Sequence, residues 1–116
     1  MEFKINGMKW RIKEKSLKEL LDNYNEANTQ KATYLYGSSL LDKHEIWLNK
    51  DNCNDQKLMT LAHELTHCWL WYSALSYLPN YSEETVCEIV SNCYKFIDEI
   101  VEKYRQCLKE GKESNE

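Results

Sequence analysis

Glycine and proline are scarce in this chain: three glycines and one proline in 116 residues. Both residues punctuate a chain with turns, so their scarcity predicts long elements joined by few tight turns. Long apolar runs are missing too. The longest, Cys68-Trp69-Leu70-Trp71-Tyr72, is far short of the ~20 residues that span a bilayer, which predicts no transmembrane helix. There is no excess of positive charge. Residues 1–57 hold 10 Lys/Arg against 9 Asp/Glu, and residues 58–116 hold 5 against 10, for a net charge of −4. Such a chain has no basic field to neutralise a run of phosphates, so direct nucleic-acid binding is not expected. The cysteines (Cys53, Cys68, Cys87, Cys93, Cys107) are odd in number and contain no C-x-x-C pair. That excludes a zinc knuckle or dithiol motif and predicts reduced, mostly buried thiols. The opening residues, Met1 to Asn6, show no apolar h-region and no small-residue cleavage site. No secretion signal and a cytoplasmic setting are therefore expected.

What is present is ordinary globular composition, 42% hydrophobic and 29% charged. One domain over residues 1–116 is expected, burying roughly two-thirds of its unfolded surface without disulfide staples. Its polar tail from Gly111 to Glu116 is expected to fray.

Asn6-Gly7 is the two-residue signal of a type I′ turn, flanked by alternating Phe3, Ile5 and Met8, Trp10, Ile12. This predicts a hairpin over Phe3 to Lys13. Ser16 can cap a short helix through about Tyr24 that buries Leu17, Leu20 and Leu21. Ala32 to Tyr36 and Glu45 to Asn49 read as two further strands, joined around Gly37-Ser38-Ser39. A long helix follows, about Asp55 to Ser76, with a core stripe of Leu58, Leu61, Leu65, Cys68 and Tyr72. Pro79 marks a turn, and Ser82 then caps a final helix of about 27 residues. Glu83 and Glu84 fall in its first turn, Tyr81 and Val86 are spaced as a hydrophobic staple, and Val86, Val90, Cys93, Ile97, Ile100 and Tyr104 form the expected buried stripe. Strands first and long helices last mean an α+β fold, with a sheet of about three or four strands packed on two long helices and a short one.

His63-Glu64-Leu65-Thr66-His67 is an H-E-x-x-H motif within the long helix. Residues four apart lie one above the other on a helix, so both imidazoles can reach one metal ion. They lie opposite the leucine stripe and are not needed for packing. With three histidines and 14 glutamates, simple frequency counting gives the pattern in about 1% of shuffled sequences. Zinc held by neutral imidazoles lowers the pKa of its water toward ~7. Glu64 can accept that water's proton as it attacks a carbonyl and return it to the leaving amine. A catalytic zinc takes three protein ligands. The turn at Pro79 can return the last helix antiparallel to the first, which makes Glu83, Glu84 and Glu88 the candidates for the third. Glu84 is favoured. Glu84 and Glu88 share a face, so one could ligate while the other orients a histidine.

The spacing of His63-Glu64-Leu65-Thr66-His67 from Glu84-Thr85-Val86-Cys87-Glu88 resembles the gluzincin pattern, in which E-x-x-x-D follows H-E-x-x-H on the next helix. The resemblance implies that Glu84 is the third zinc ligand and that Glu88 stands where an aspartate usually holds a histidine. More narrowly, the short chain resembles the ImmA/IrrE-type metallopeptidases of bacteria, phages and mobile elements, over roughly Tyr34 to Ser91. It departs from them in having Thr85-Val86-Cys87 in place of an E-A-N stretch. That resemblance implies a minimal zincin fold, one Zn2+ per chain, and a zinc endopeptidase whose studied relatives cleave helix-turn-helix repressors.

Three further features could serve such a site. His44 could polarise a substrate carbonyl, Tyr77 or Tyr81 could stabilise an oxyanion, and strand Glu45 to Asn49 could offer an exposed edge to an extended peptide. Two other readings use the same residues without hydrolysis. One is a partner-binding module on a zincin scaffold. The other is a structural metal site closed by a fourth ligand such as Glu88 or His44.

Overall fold

A computed structural model describes residues 1–73 and 82–111. Its elements are β1 (Glu2–Ile5), β2 (Met8–Lys15), α1 (Leu17–Ala27), β3 (Gly37–Leu40), β4 (Glu45–Asn49), α2 (Asn54–Tyr72) and α3 (Glu83–Lys109). The fold is α+β: a four-stranded mixed sheet with two long helices and one short one. The strand order is β1-β2-β4-β3. β1 and β3 pair antiparallel to their neighbours, and β2 runs parallel to β4.

The hairpin forms as its sequence dictates. Asn6 and Gly7 both take positive φ, 49° and 78°, the conformation a type I′ turn requires. Ile5 therefore pairs with Met8. Alternation then sends Phe3, Ile5, Trp10, Ile12, Ile46 and Leu48 to the sheet face that carries the core. Leu58, Leu61, Leu65 and Cys68 of α2 and Ile100 and Tyr104 of α3 close that core from the other side. Trp10 is fully buried, and its indole N–H donates to the Tyr72 hydroxyl at 3.0 Å, as a buried tryptophan requires.

Ser16 caps α1 in a capping box: its hydroxyl accepts from the Glu19 N–H at 3.1 Å, and the Glu19 carboxylate accepts from the Ser16 N–H at 3.3 Å. This helix contacts β3 and β4. Leu20 and Leu40 are buried there, apart from the main core cluster. At the start of α3 the Ser82 hydroxyl accepts from the Thr85 N–H at 3.1 Å, with Glu83 and Glu84 in the first turn. Among the described residues no helix is long and apolar enough to cross a membrane.

The cysteines are not mostly buried: Cys68 and Cys93 are, Cys53 and Cys87 are exposed, and Cys107 is half-buried. Three further expectations need correction. The third strand is Gly37–Leu40, not Ala32 to Tyr36. Residues 32–36 are instead a connection pinned by side chains. Asn25 donates to the Ala32 carbonyl at 3.1 Å and accepts from the Ala32 N–H at 2.8 Å, and the Tyr34 and Tyr36 rings meet edge to face. Secondly, Glu45–Asn49 is no edge: it lies between β2 and β3, and the edges of the sheet are β1 and β3. Thirdly, the buried stripe of α3 is Ile89, Cys93, Ile100 and Tyr104, while Val86 and Val90 are 47% and 55% exposed. Val86 lies at the same helical angle as Tyr104, about five turns on, so the difference is position along the helix: the main core packs on the C-terminal half of α3, which periodicity alone does not tell. The long helix ends at Tyr72 with Ser73 as its C-cap, and the staple residue Tyr81 lies outside the described residues.

Candidate metal centre

The middle of α2 presents three different faces. Leu61, Leu65 and Cys68 face the core and are fully buried, His63 and His67 are exposed, and Glu64 lies between them, only 8% exposed. One helical turn brings the two imidazoles together. Their Nε2 atoms are 3.2 Å apart, with the rings edge to face at 74°. Two zinc–nitrogen bonds of about 2.0–2.1 Å at a tetrahedral angle place their nitrogens about 3.3–3.4 Å apart. The separation is therefore close to that of two nitrogens on a single zinc ion. The same separation also suits one N–H···N hydrogen bond between two neutral rings.

Glu64 is held from the sheet. The Ser39 hydroxyl donates to Glu64 Oε1 at 2.7 Å and lies 3.3 Å from the Glu64 carbonyl oxygen. The Cys68 thiol in turn lies 3.9 Å from the Ser39 hydroxyl oxygen, within reach of a weak S–H donation. Burial pushes the Cys68 thiol up to about 12, so it stays protonated at neutral pH and offers no thiolate to a metal.

Gly37 explains why strand and helix come this close. A Cβ built there would meet the Thr60 methyl at 2.6 Å and the Trp47 carbonyl oxygen at 2.7 Å. Only glycine lets the start of β3 lie directly on α2, and two residues later Ser39 faces the same way and reaches Glu64. Gly37-Ser38-Ser39 reads as a joint because small residues have low strand propensity. Neither Gly37 nor Ser39 was therefore singled out from the sequence, and the flanking Leu40 and the cluster of small residues are the only local signals.

A hollow opens on each side of Glu64. One, of about 310 Å³, is bounded by Tyr36, Gln56, Met59, Thr60 and His63. The other, of about 380 Å³, is bounded by Tyr24, Ser38, Leu41, His67 and Trp71. Gly37 and Glu64 line both.

The remaining predicted site residues lie elsewhere or are not grouped with the histidines. Glu84 lines a hollow of about 220 Å³ together with Trp69, Thr85, Glu88, Ile89 and Asn92. Glu84 and Glu88 thus share a face as expected. Trp69, two residues beyond His67, projects from the far side of the helix. Glu83 is exposed in the first turn of α3. Among the described residues no group of three His, Cys, Asp or Glu side chains is placed to hold a metal, so none of the three acids joins His63 and His67. His44 takes φ 57° at the end of the β3–β4 turn and stacks on Trp10 at 5.3 Å, where it lines neither hollow beside Glu64. Tyr77 and Tyr81 lie outside the described residues. Compared with family models, curated proteins and solved structures, the chain matches none.

Proposed function

We propose that this chain is a zinc-dependent peptidase of the minimal zincin type, with the ImmA/IrrE-like peptidases as the family it resembles. The observation that carries the reading is the convergence of two imidazole Nε2 atoms, 3.2 Å apart, beside a buried carboxylate. In this reading His63 and His67 hold the metal. An acid at the start of α3 would have to move up to them to complete the set, Glu84 first, with Glu83 and Glu88 as the alternatives, because among the described residues none of the three stands beside the histidines. A zinc ion in that position supplies a Lewis acid that brings the pKa of a water toward ~7. The chain's own contribution to the chemistry is Glu64. Ser39 holds its Oε1, and no described residue hydrogen-bonds to Oε2. That oxygen can take a proton from an attacking water and hand it to the leaving amine.

The hollows on either side of Glu64 offer room for a polypeptide to run past the carboxylate in both directions, and β3 offers a free strand edge alongside. Both support an endopeptidase with a protein substrate, and the resemblance names helix-turn-helix repressors as the first substrates to try. The net charge of −4 argues against nucleic acid as a direct partner. All five cysteines are free thiols, which supports a reducing, cytoplasmic setting.

The zinc-loaded protein is expected to generate new peptide termini, detected by mass spectrometry, in a diverse peptide library or a panel of helix-turn-helix repressors. A chelator should stop cleavage, and added zinc should restore it. A zinc-loaded preparation that leaves every probe intact overturns the peptidase reading.

A further inference from the structure

We propose that Ser39 is a positioning residue for Glu64: its hydroxyl fixes which carboxylate oxygen faces the reacting groups. The inference rests on the peptidase reading and adds a residue to it from outside the H-E-x-x-H motif.

The geometry is specific. A separation of 2.7 Å is that of a well-formed O–H···O hydrogen bond. A serine hydroxyl has only one proton. The Glu64 carbonyl oxygen, at 3.3 Å, is the poorer acceptor of the two within reach. The Cys68 thiol lies 3.9 Å from the hydroxyl oxygen, which can accept from it while its own proton goes to the carboxylate. The chain of donation therefore runs from Cys68 to Ser39 to Glu64.

A glutamate side chain has three rotatable bonds, and this one stands between two hollows of about 310 and 380 Å³. Without a tether its carboxylate could turn into either. Bound at Oε1 by Ser39, it is held toward β3 and leaves Oε2 for the proton. Proton transfer demands such placement, because a misplacement of about 1 Å can cost ~10²-fold in rate. The tether depends on the path of β3. Gly37, which tolerates no Cβ against Thr60 and the Trp47 carbonyl, sets the strand down on α2, and alternation turns Ser39 toward the helix.

The test takes the best-cleaved peptide from a library and compares wild type with Ser39→Ala, Ser39→Thr and Ser39→Cys, all zinc-loaded. Zinc stoichiometry should be the same in all four. Ser39→Ala is expected to lose about 10- to 100-fold in kcat, with KM within about twofold of wild type. Ser39→Thr keeps the hydroxyl on a residue suited to a strand and is expected to stay within about threefold of wild type. Ser39→Cys fills the space with a weak donor and is expected to fall with alanine, which keeps the test decisive if the alanine variant folds poorly. A second readout needs no turnover. In metal-free protein, Ser39→Ala and Glu64→Ala should be coupled by about fivefold in the unfolding equilibrium constant, as a hydrogen-bonded pair is. Wild-type kcat in Ser39→Ala, or strict additivity of the two alanine substitutions, overturns the proposal and leaves the peptidase intact. Absence of any cleavage by wild type removes the peptidase and this inference with it.

Discussion

Glu64→Gln is expected to bind zinc as the wild type does and to lose about 10²- to 10⁴-fold in peptide hydrolysis, the range that general acid–base catalysis contributes. The substitution is nearly isosteric. The amide oxygen can still accept the Ser39 hydroxyl now bound to Oε1, so the side chain should keep its place between the two hollows. What disappears is an oxygen able to take a proton, because an amide is not a base at neutral pH. His63 and His67 keep their Nε2 atoms 3.2 Å apart, so zinc content should not change. Steady-state kinetics and elemental analysis on the same preparation check both halves. Hydrolysis at the wild-type rate would remove Glu64 from its role. Loss of metal together with activity would show that Glu64 acts on the site's structure instead.

The second large effect concerns what holds α2 in place. Glu14→Ala is expected to lower stability by about 3–5 kcal/mol, a large share of the 5–15 kcal/mol available to a small domain. Glu14 lies near the end of β2 and turns to the core side of the sheet. Its Oε1 accepts from the Lys57 ammonium at 2.9 Å, and its Oε2 accepts from the Tyr104 hydroxyl. The Lys57 and Glu14 side chains are only 10% and 12% exposed. One carboxylate thus links β2 to both long helices. Its removal leaves the Lys57 ammonium without its counter-charge in a nearly dry site and takes an acceptor from Tyr104. The comparison is Glu2→Ala, which breaks the Arg11–Glu2 pair, whose side chains are 54% and 48% exposed. Screening by water limits that loss to about 0–1 kcal/mol. Urea unfolding followed by tryptophan fluorescence measures both. Equal losses in the two variants would contradict the assignment of Glu14 as the buried anchor. Lys57 lies six residues before His63 on the same helix, so this anchor also steadies the turn that carries His63 and His67.

The parts of the fold that were legible are those written in local spacing. Asn6-Gly7 announces its turn, Ser16 and Ser82 announce their helices, and the leucine stripe of α2 announces its buried face. The H-E-x-x-H turn belongs with them, because five consecutive residues on a helix are enough to bring two imidazoles together. What stayed hidden depends on residues far apart in the chain. Ser39 and Glu64 are 25 positions apart, and Glu14 and Tyr104 are 90 apart. No periodicity encodes such pairs. β3 was hidden for a related reason. Gly37, Ser38 and Ser39 have little intrinsic preference for a strand, and they form one because β4 pairs with them and because the absent side chain of Gly37 lets α2 approach. Tyr34 and Tyr36 looked more strand-like, yet Tyr34 spends its hydroxyl on Asn52, at 2.8 Å, in an irregular connection. For the third ligand, the motif spacing favours Glu84, and the structure groups it with Glu88 and Trp69.

The most direct test of the central claim, that His63 and His67 form a metal site, is the metal content of tag-free protein purified without chelator, beside His63→Ala. About one zinc per chain in the wild type is expected, lost in the variant while its fold is retained by circular dichroism. Wild-type protein that carries no metal and takes up none on zinc titration would contradict the account. The two imidazoles would then be a hydrogen-bonded pair and not a metal site.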